Sequence, residues 1–196
     1  MRLEPLTEEH YGDLFAAIAR PEVFAGGYGG GPAGLPTDAA NFRAFADAYY
    51  NRERNNPYVV RLVGGPADGL VVGTSTLGDF DEPNEATHRG WTAYAPEVWR
   101  TAVNAETKLL LLGLAFDSGF GRVKIQADVL NERSRAAIAG IGATFEGIVR
   151  RDKRRADGSW RDAAVFSVIV DDWPRVRAGL EKRLAAASGP VVPRPR

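Results

Sequence analysis

Residues 91–112, WTAYAPEVWRTAVNAETKLLLL, carry the pattern that decides the fold. They read as a short strand ending at Pro96, a compact turn, and a strongly apolar helix. The first amide N–H groups of a helix have no partner within it, and the helix dipole is positive at that end. Together these make an anion site. Val103, Asn104 and Ala105 supply the amides, and Arg100 stands beside them as a phosphate partner. The helix is too apolar for a surface element, so the anion site is rooted in the core.

The neighbouring segments extend the pattern. Residues 122–129 alternate, with Val123, Ile125, Ala127 and Val129 on one face and Lys124, Gln126 and Asp128 on the other. Asn131 then opens a second helix, NERSRAAIAGIG. Strand, helix, strand, helix implies a parallel pair with a right-handed crossover. Upstream, Thr7 precedes a helix whose Tyr11, Leu14, Phe15 and Ile18 form one stripe. Another helix starts at Thr37 or Asp38, buries Phe42, Phe45 and Tyr49, and stops at Asn55-Asn56-Pro57.

Residues 58–63 and 70–77 flank the turn GGPADG as an antiparallel hairpin. Residues 79–85 are expected to form an acidic loop, followed by a strand over 89–94. Residues 145–151 and 163–170 read as strands around a basic turn, RRADGSWR. Asp171-Asp172-Trp173-Pro174 leads into a last helix with Val176, Leu180 and Leu184 on one side. The expectation is a single domain over residues 1–187 and a disordered, Pro-rich tail over 188–196. The segment AGGYGGGPAGLP at residues 25–36 is either a connector or a lid over a cleft.

Composition narrows the function. Apolar residues at 44% and charged residues at 26% of 196 suit one soluble domain. Lys+Arg and Asp+Glu both total 25, which argues against a bulk nucleic-acid or membrane binder. There is no cysteine, so disulfides, thiolate catalysis and Cys-ligated metals are excluded. With 2 histidines, no metal site is expected. The N-terminal MRLEPLTEEH lacks the apolar run of a secretory leader. The apolar run at residues 109–116 is far short of the roughly 20 needed to span a bilayer. A cytoplasmic location is expected.

GWTAYAPEVWRTAVNAETKLLLLGLAF followed by VKIQADVLNERSRAAIAGIGATFEG resembles the GNAT acetyltransferases, and within them the RimJ/RimL-type branch. There a strand ends in proline, a W-x-x-G-x-[AN] turn grips acyl-coenzyme A, and N-x-x-S opens the next helix. The resemblance implies a mixed α/β GNAT fold. Its central twisted sheet has about six to seven strands flanked by helices and splayed at the acyl-CoA site.

The resemblance further implies that the strand edge at Ala93, Tyr94 and Ala95 binds the pantetheine arm. The turn at Trp99, Arg100, Thr101, Ala102, Val103, Asn104 and Ala105 would bind the pyrophosphate. The superfamily turn is [QR]-x-x-G-x-[GA]. This chain has neither glycine, which predicts a bulkier phosphate approach at Ala102 and Asn104.

Acyl transfer to an amine needs a neutral nucleophile, a donor for the oxyanion and a proton for the leaving thiolate. The resemblance places Asn131 at the pantetheine arm and Ser134 near the sulfur. As residues, the two are equally an N-cap and a first-turn polar group. His88 is the first candidate base, or else a loop-end histidine with no role. Glu85 is the second; with Asp79, Asp81 and Glu82 it either attracts a cationic amine or is simply solvated.

The implied activity is transfer of acetyl from acetyl-CoA to a primary amine, on a protein N-terminus or a small molecule, by direct attack in a ternary complex. The alternatives are a larger donor such as succinyl-CoA, or a non-catalytic acyl-CoA-binding or interaction module. A homodimer is a further possible assembly. The basic hairpin around Trp160 is a solvated turn or one wall of the acceptor cleft.

Overall fold

The computed structural model describes residues 1–187 and 189–195. Its strands are β1 (Arg2–Pro5), β2 (Asn56–Arg61), β3 (Val71–Asp81), β4 (Ala86–Tyr94), β5 (Arg122–Asp128), β6 (Thr144–Arg154) and β7 (Trp160–Ile169). Its α-helices are α1 (Tyr11–Ile18), the single turn α2 (Pro21–Phe24), α3 (Ala39–Tyr50), α4 (Val103–Asp117), α5 (Glu132–Ala139) and α6 (Trp173–Ala185). The strands form one 7-stranded sheet in the order β1-β2-β3-β4-β5-β7-β6. Every pair is antiparallel except β4–β5. This is the expected mixed sheet flanked by helices.

The helix α3 starts where capping chemistry dictates. The Asp38 side chain accepts the Asn41 amide at 2.8 Å, and Asn51 ends the helix in the left-handed region at φ 42°. Its buried Phe42, Ala46 and Tyr50 join Leu14 and Ile18 of α1 in one core cluster. The helix α4 buries Val103, Ala105, Leu111, Leu112 and Ala115. Of these, Ala105, Leu111, Leu112 and Ala115 join Val123, Ile125, Phe166, Val176 and Leu180 in a second cluster. The alternation read along β5 is therefore real: Val123, Ile125 and Ala127 face that core.

Two expectations change. The supposed acidic loop is largely strand: β3 runs on to Asp81, and Asp79 sits in it at φ 48° beside a register shift against β4. The chain also opens with an edge strand, β1, that periodicity did not reveal. Four residues ending in proline carry no alternation to read.

Of the segment expected to form a tail, Ser188 and Arg196 lie outside the described residues. Among the described ones, Val191 packs on the first core cluster and the Arg194 amide donates to the Glu97 carbonyl at 3.0 Å. No helix of the described residues is long and apolar enough to cross a membrane.

Leu112 is fully buried between sheet and α6, whereas Leu110 on the same helix is 41% exposed. Leu112→Ala is expected to lower unfolding stability by about 2–5 kcal/mol and Leu110→Ala by well under half of that. Urea denaturation checks the pair, and equal losses would contradict this packing.

Candidate active site

The parallel strands β4 and β5 pair only at Ala86↔Arg122, Thr87↔Val123 and His88↔Lys124. Beyond that point β4 stays with β3 and β5 stays with β7, so the two strands part. A bulge sharpens the split. Trp91 and Thr92 together oppose Ser75, and Trp91 takes φ 48°, an uncommon conformation for a bulky side chain. Between the parted strands, under α4 and α5, lies a cavity of about 700 Å³.

Its strand edge is half available. The Ala95 amide donates to Val72 on β3 at 2.8 Å, so the polar groups of Ala95, and of Ala93 two residues back, point away from the cavity. Those of Tyr94 and Thr92 point into it. The Tyr94 carbonyl already accepts the Trp99 indole N–H at 2.9 Å, which folds the turn back onto the strand end.

The turn itself is built for an anion. Thr101 spends its amide on Val98 at 3.3 Å, and the Val103 amide faces the Thr101 hydroxyl at 3.4 Å. Among the described residues, the amides of Arg100, Ala102, Asn104 and Ala105 have no acceptor. No side chain caps α4. The absent glycines leave no strain. Ala102 has φ −64° and Asn104 is helical, so neither needs the left-handed region. Arg100 takes it instead, at φ 64°. The Arg133 guanidinium lies 3.5 Å over the Trp99 ring and ties α5 to the turn.

Charge is sorted sharply here. Arg89, Arg100, Lys108, Arg133, Arg183 and Arg194 all line the cavity, and no carboxylate among the described residues does. The chain as a whole is neutral, so this is a local field. At the turn, Arg100, Arg133 and Arg194 suit a diphosphate and a further phosphate.

Asn131 and Ser134 also line the cavity. Asn131 caps α5, accepting the Ser134 amide at 3.0 Å, while its Nδ2 donates to the Gly26 carbonyl at 2.7 Å. Its capping role is therefore realised, and it also anchors the glycine-rich segment. That segment is pinned elsewhere too, by the Tyr28–Tyr50 hydroxyl contact and by the Ala156 amide donating to Gly30 at 3.0 Å. Tyr28 reaches the cavity wall.

His88 is no loop-end histidine. It is 3% exposed within β4, and its ring packs 5.0 Å from Trp91. Nδ1 lies 3.0 Å from Asp79 Oδ2. A carboxylate only accepts, so the proton is assigned to Nδ1 and Nε2 is left as a lone pair. Nε2 is buried without a partner and lies over the cavity-lining Gly90, where an added Cβ would sit 2.8 Å away. Burial pushes the imidazole below its ordinary value of 6.5, more than Asp79 raises it. The His88 hydrogen bond in turn holds Asp79 well below the usual carboxylate range.

Glu85 is not brought to this place. It sits exposed in the turn before β4, its carbonyl accepting the Gly121 and Arg122 amides at the closed end of the strand pair. Sequence reasoning missed Asp79 as the partner of His88, and Arg89 and Lys108 as cavity residues.

The match to known proteins agrees with this architecture. Residues 1–144 match the acetyltransferase (GNAT) domain model. A GCN5-related N-acetyltransferase from Brucella melitensis is similar at 28% identity and TM-score 0.83, over 94% of this chain and 82% of that one. A candidate acetyltransferase from T. thermophilus is similar at 30% identity and TM-score 0.80, over 93% of each chain. RimJ of Mycobacterium smegmatis, solved with CoA-disulfide, shares the fold at 18% identity and TM-score 0.69, over 92% of this chain and 88% of that one. No functionally curated protein matches the chain.

Arg194→Ala removes that cation from the cavity and keeps Val191 packed on the core. Calorimetric titration is expected to show a severalfold weaker Kd for coenzyme A with little loss of thermal stability. An unchanged Kd would contradict a phosphate role for that residue.

Proposed function

From its membership of the acetyltransferase (GNAT) domain family, which makes this chain an acyl-CoA-dependent transferase, we propose that it moves an acyl group onto a primary amine by direct attack in a ternary complex. The observation that carries the reading is the set of free amides at Arg100, Ala102, Asn104 and Ala105, of which Arg100, Asn104 and Ala105 line a cationic cavity where β4 and β5 part. We place the chain in the RimJ/RimL-like branch on its Trp99 turn and its Asn131–Ser134 helix start.

In this reading acyl-coenzyme A is the co-substrate. Its phosphates lie on the turn with Arg100, Arg133 and Arg194. Its pantetheine arm runs inward along the Thr92–Tyr94 edge. The amine approaches from the face of Lys124, Asp79 and His88, which α4 does not cover. His88 Nε2 takes the amine proton as the N–C bond forms. The Ser134 hydroxyl has no partner within the described chain and gives its proton to sulfur as the C–S bond breaks. His88 releases its proton to solvent and Ser134 regains one from solvent, so in net one proton passes from nitrogen to sulfur. Asp79 holds the His88 tautomer that makes this possible, a positioning role. Glu85 stays a solvated turn residue.

The acceptor is a small-molecule amine or a protein N-terminus, and a mass-identified product distinguishes them. Free-thiol release from acyl-CoA with a panel of amines tests the activity itself, and no release with any amine would defeat it.

The base assignment fixes a pH dependence. A base must be unprotonated, and burial lowers the His88 pKa. So with a weakly basic acceptor amine that is already neutral in this range, kcat/KM should be flat above pH 6.5 and fall on the acid side with a midpoint below that value. Because Asp79 raises the pKa, Asp79→Asn should move the midpoint to still lower pH. His88→Ala should cost about 100-fold or more in kcat and abolish the acid limb. An unchanged profile in His88→Ala would contradict the assignment.

A further inference from the structure

Two of the cavity's cations are set apart from the phosphate turn. Arg89 is 4% exposed and Lys108 is 1% exposed. Among the described residues neither has an ion pair. The Arg89 guanidinium donates through one Nη to the Tyr94 hydroxyl at 3.2 Å, and its buried Nε has no partner. Lys108 donates to the Ala137 carbonyl of α5 at 2.6 Å. Arg183 stands nearby, donating to the Gly140 carbonyl at 2.8 Å. Burying cations without a carboxylate is costly, so such a cluster calls for an anion. Burial, Arg89 and Arg183 all push the Lys108 ammonium down, and nothing in the chain offsets them.

Depth separates this pair from the phosphates. The mouth is at Tyr94 and the start of α4, where Arg100 and Arg133 stand. Arg89 lies one residue beyond the last β4–β5 pair, at the apex of the split. Its backbone position is therefore deeper along the bulged β4 than Tyr94, although its guanidinium reaches back to the Tyr94 hydroxyl. Lys108 lies roughly 8 Å inside α4, at about 1.5 Å per residue. Its partner Ala137 is one turn beyond Ser134, the residue placed at the sulfur. With its phosphates on the α4 turn, a pantetheine arm laid along β4 toward the apex brings its thioester toward this pair. A bare acetyl group offers no charge there.

We infer that Arg89 and Lys108 select the acyl group, and that the donor is a coenzyme A thioester whose acyl chain ends in a carboxylate, of the succinyl type. This rests on the acyl-CoA reading above. The carboxylate accepts from the free Nε edge of Arg89 and from the Lys108 ammonium. The reaction is otherwise the same: the amine displaces the thiol, and the distal carboxylate is untouched.

The plain alternative is that Lys108 and Arg183 only cap the C-terminal carbonyls of α5. Donor discrimination separates the two roles, because a purely structural residue does not change the ratio between donors. The test titrates the full chain calorimetrically with succinyl-CoA, butyryl-CoA, acetyl-CoA and free coenzyme A, and measures turnover of the three thioesters on an amine panel. Butyryl-CoA has nearly the succinyl length without its charge.

Succinyl-CoA should bind and turn over about tenfold better, or more, than butyryl-CoA and acetyl-CoA. Arg89→Gln should remove most of that ratio while leaving the Kd of free coenzyme A within about twofold. Lys108→Met is the second variant, read by the same ratio. Equal use of the three thioesters, or acetyl-CoA leading, overturns the inference and leaves the acyl-CoA reading standing. So does an Arg89→Gln protein that loses free coenzyme A as strongly as succinyl-CoA, since the pair would then read a phosphate. If free coenzyme A and all three thioesters fail to bind, both readings fall.

Discussion

A parallel strand pair that bonds for three residues and then parts leaves backbone groups without partners inside the protein. Such groups are costly unless something fills the gap. Everything else at the site follows from that split. The bulge at Trp91 holds β4 against β3 while it leaves β5, and the Trp99 indole bonded to Tyr94 keeps the strand end open toward the turn. The helix α4 then aims its free amides along the same opening. One long molecule with an anionic head and an amide-rich arm would satisfy the groups still free along this opening.

Strain marks the same places. Asp79, Trp91 and Arg100 all adopt positive φ without being glycine. Each conformation of this kind costs on the order of 1 kcal/mol and persists where its surroundings fix it. Asp79 thereby brings its carboxylate under His88, Trp91 makes the bulge, and Arg100 turns the chain into α4. The stability spent at these three positions sets the Asp79–His88 contact, the split and the turn into α4.

The sequence made the centre of this arrangement legible because the signals there are local. The apolar run of α4, the alternation of β5 and the Asn131 cap each lie within one window; the strand ends at Asp128, before Val129, and the helix leaves Leu110 and Leu114 exposed. Read against the superfamily motif, the missing turn glycines suggested a bulkier phosphate approach; the φ of Ala102 shows that no backbone strain results. What stayed hidden is long-range. Asp79 pairs with His88 only because β3 bulges, and β1 is too short to show a period. The cationic lining comes from β4, α4, α5, α6 and the C-terminal segment, so no run of basic residues announces it in a chain of net charge zero. Glu85 seemed close to the chemistry by sequence distance, yet it lies at the closed end of the strand pair.

The claim beneath the whole account is that the α4 amides cradle a diphosphate. Backbone amide NMR during titration with coenzyme A reads those groups one by one. The account predicts large, saturable shifts at Arg100, Ala102, Asn104 and Ala105, with much smaller ones at Thr101 and Val103, whose amides are already engaged within the chain. Saturable binding that leaves those four amides unmoved would contradict it.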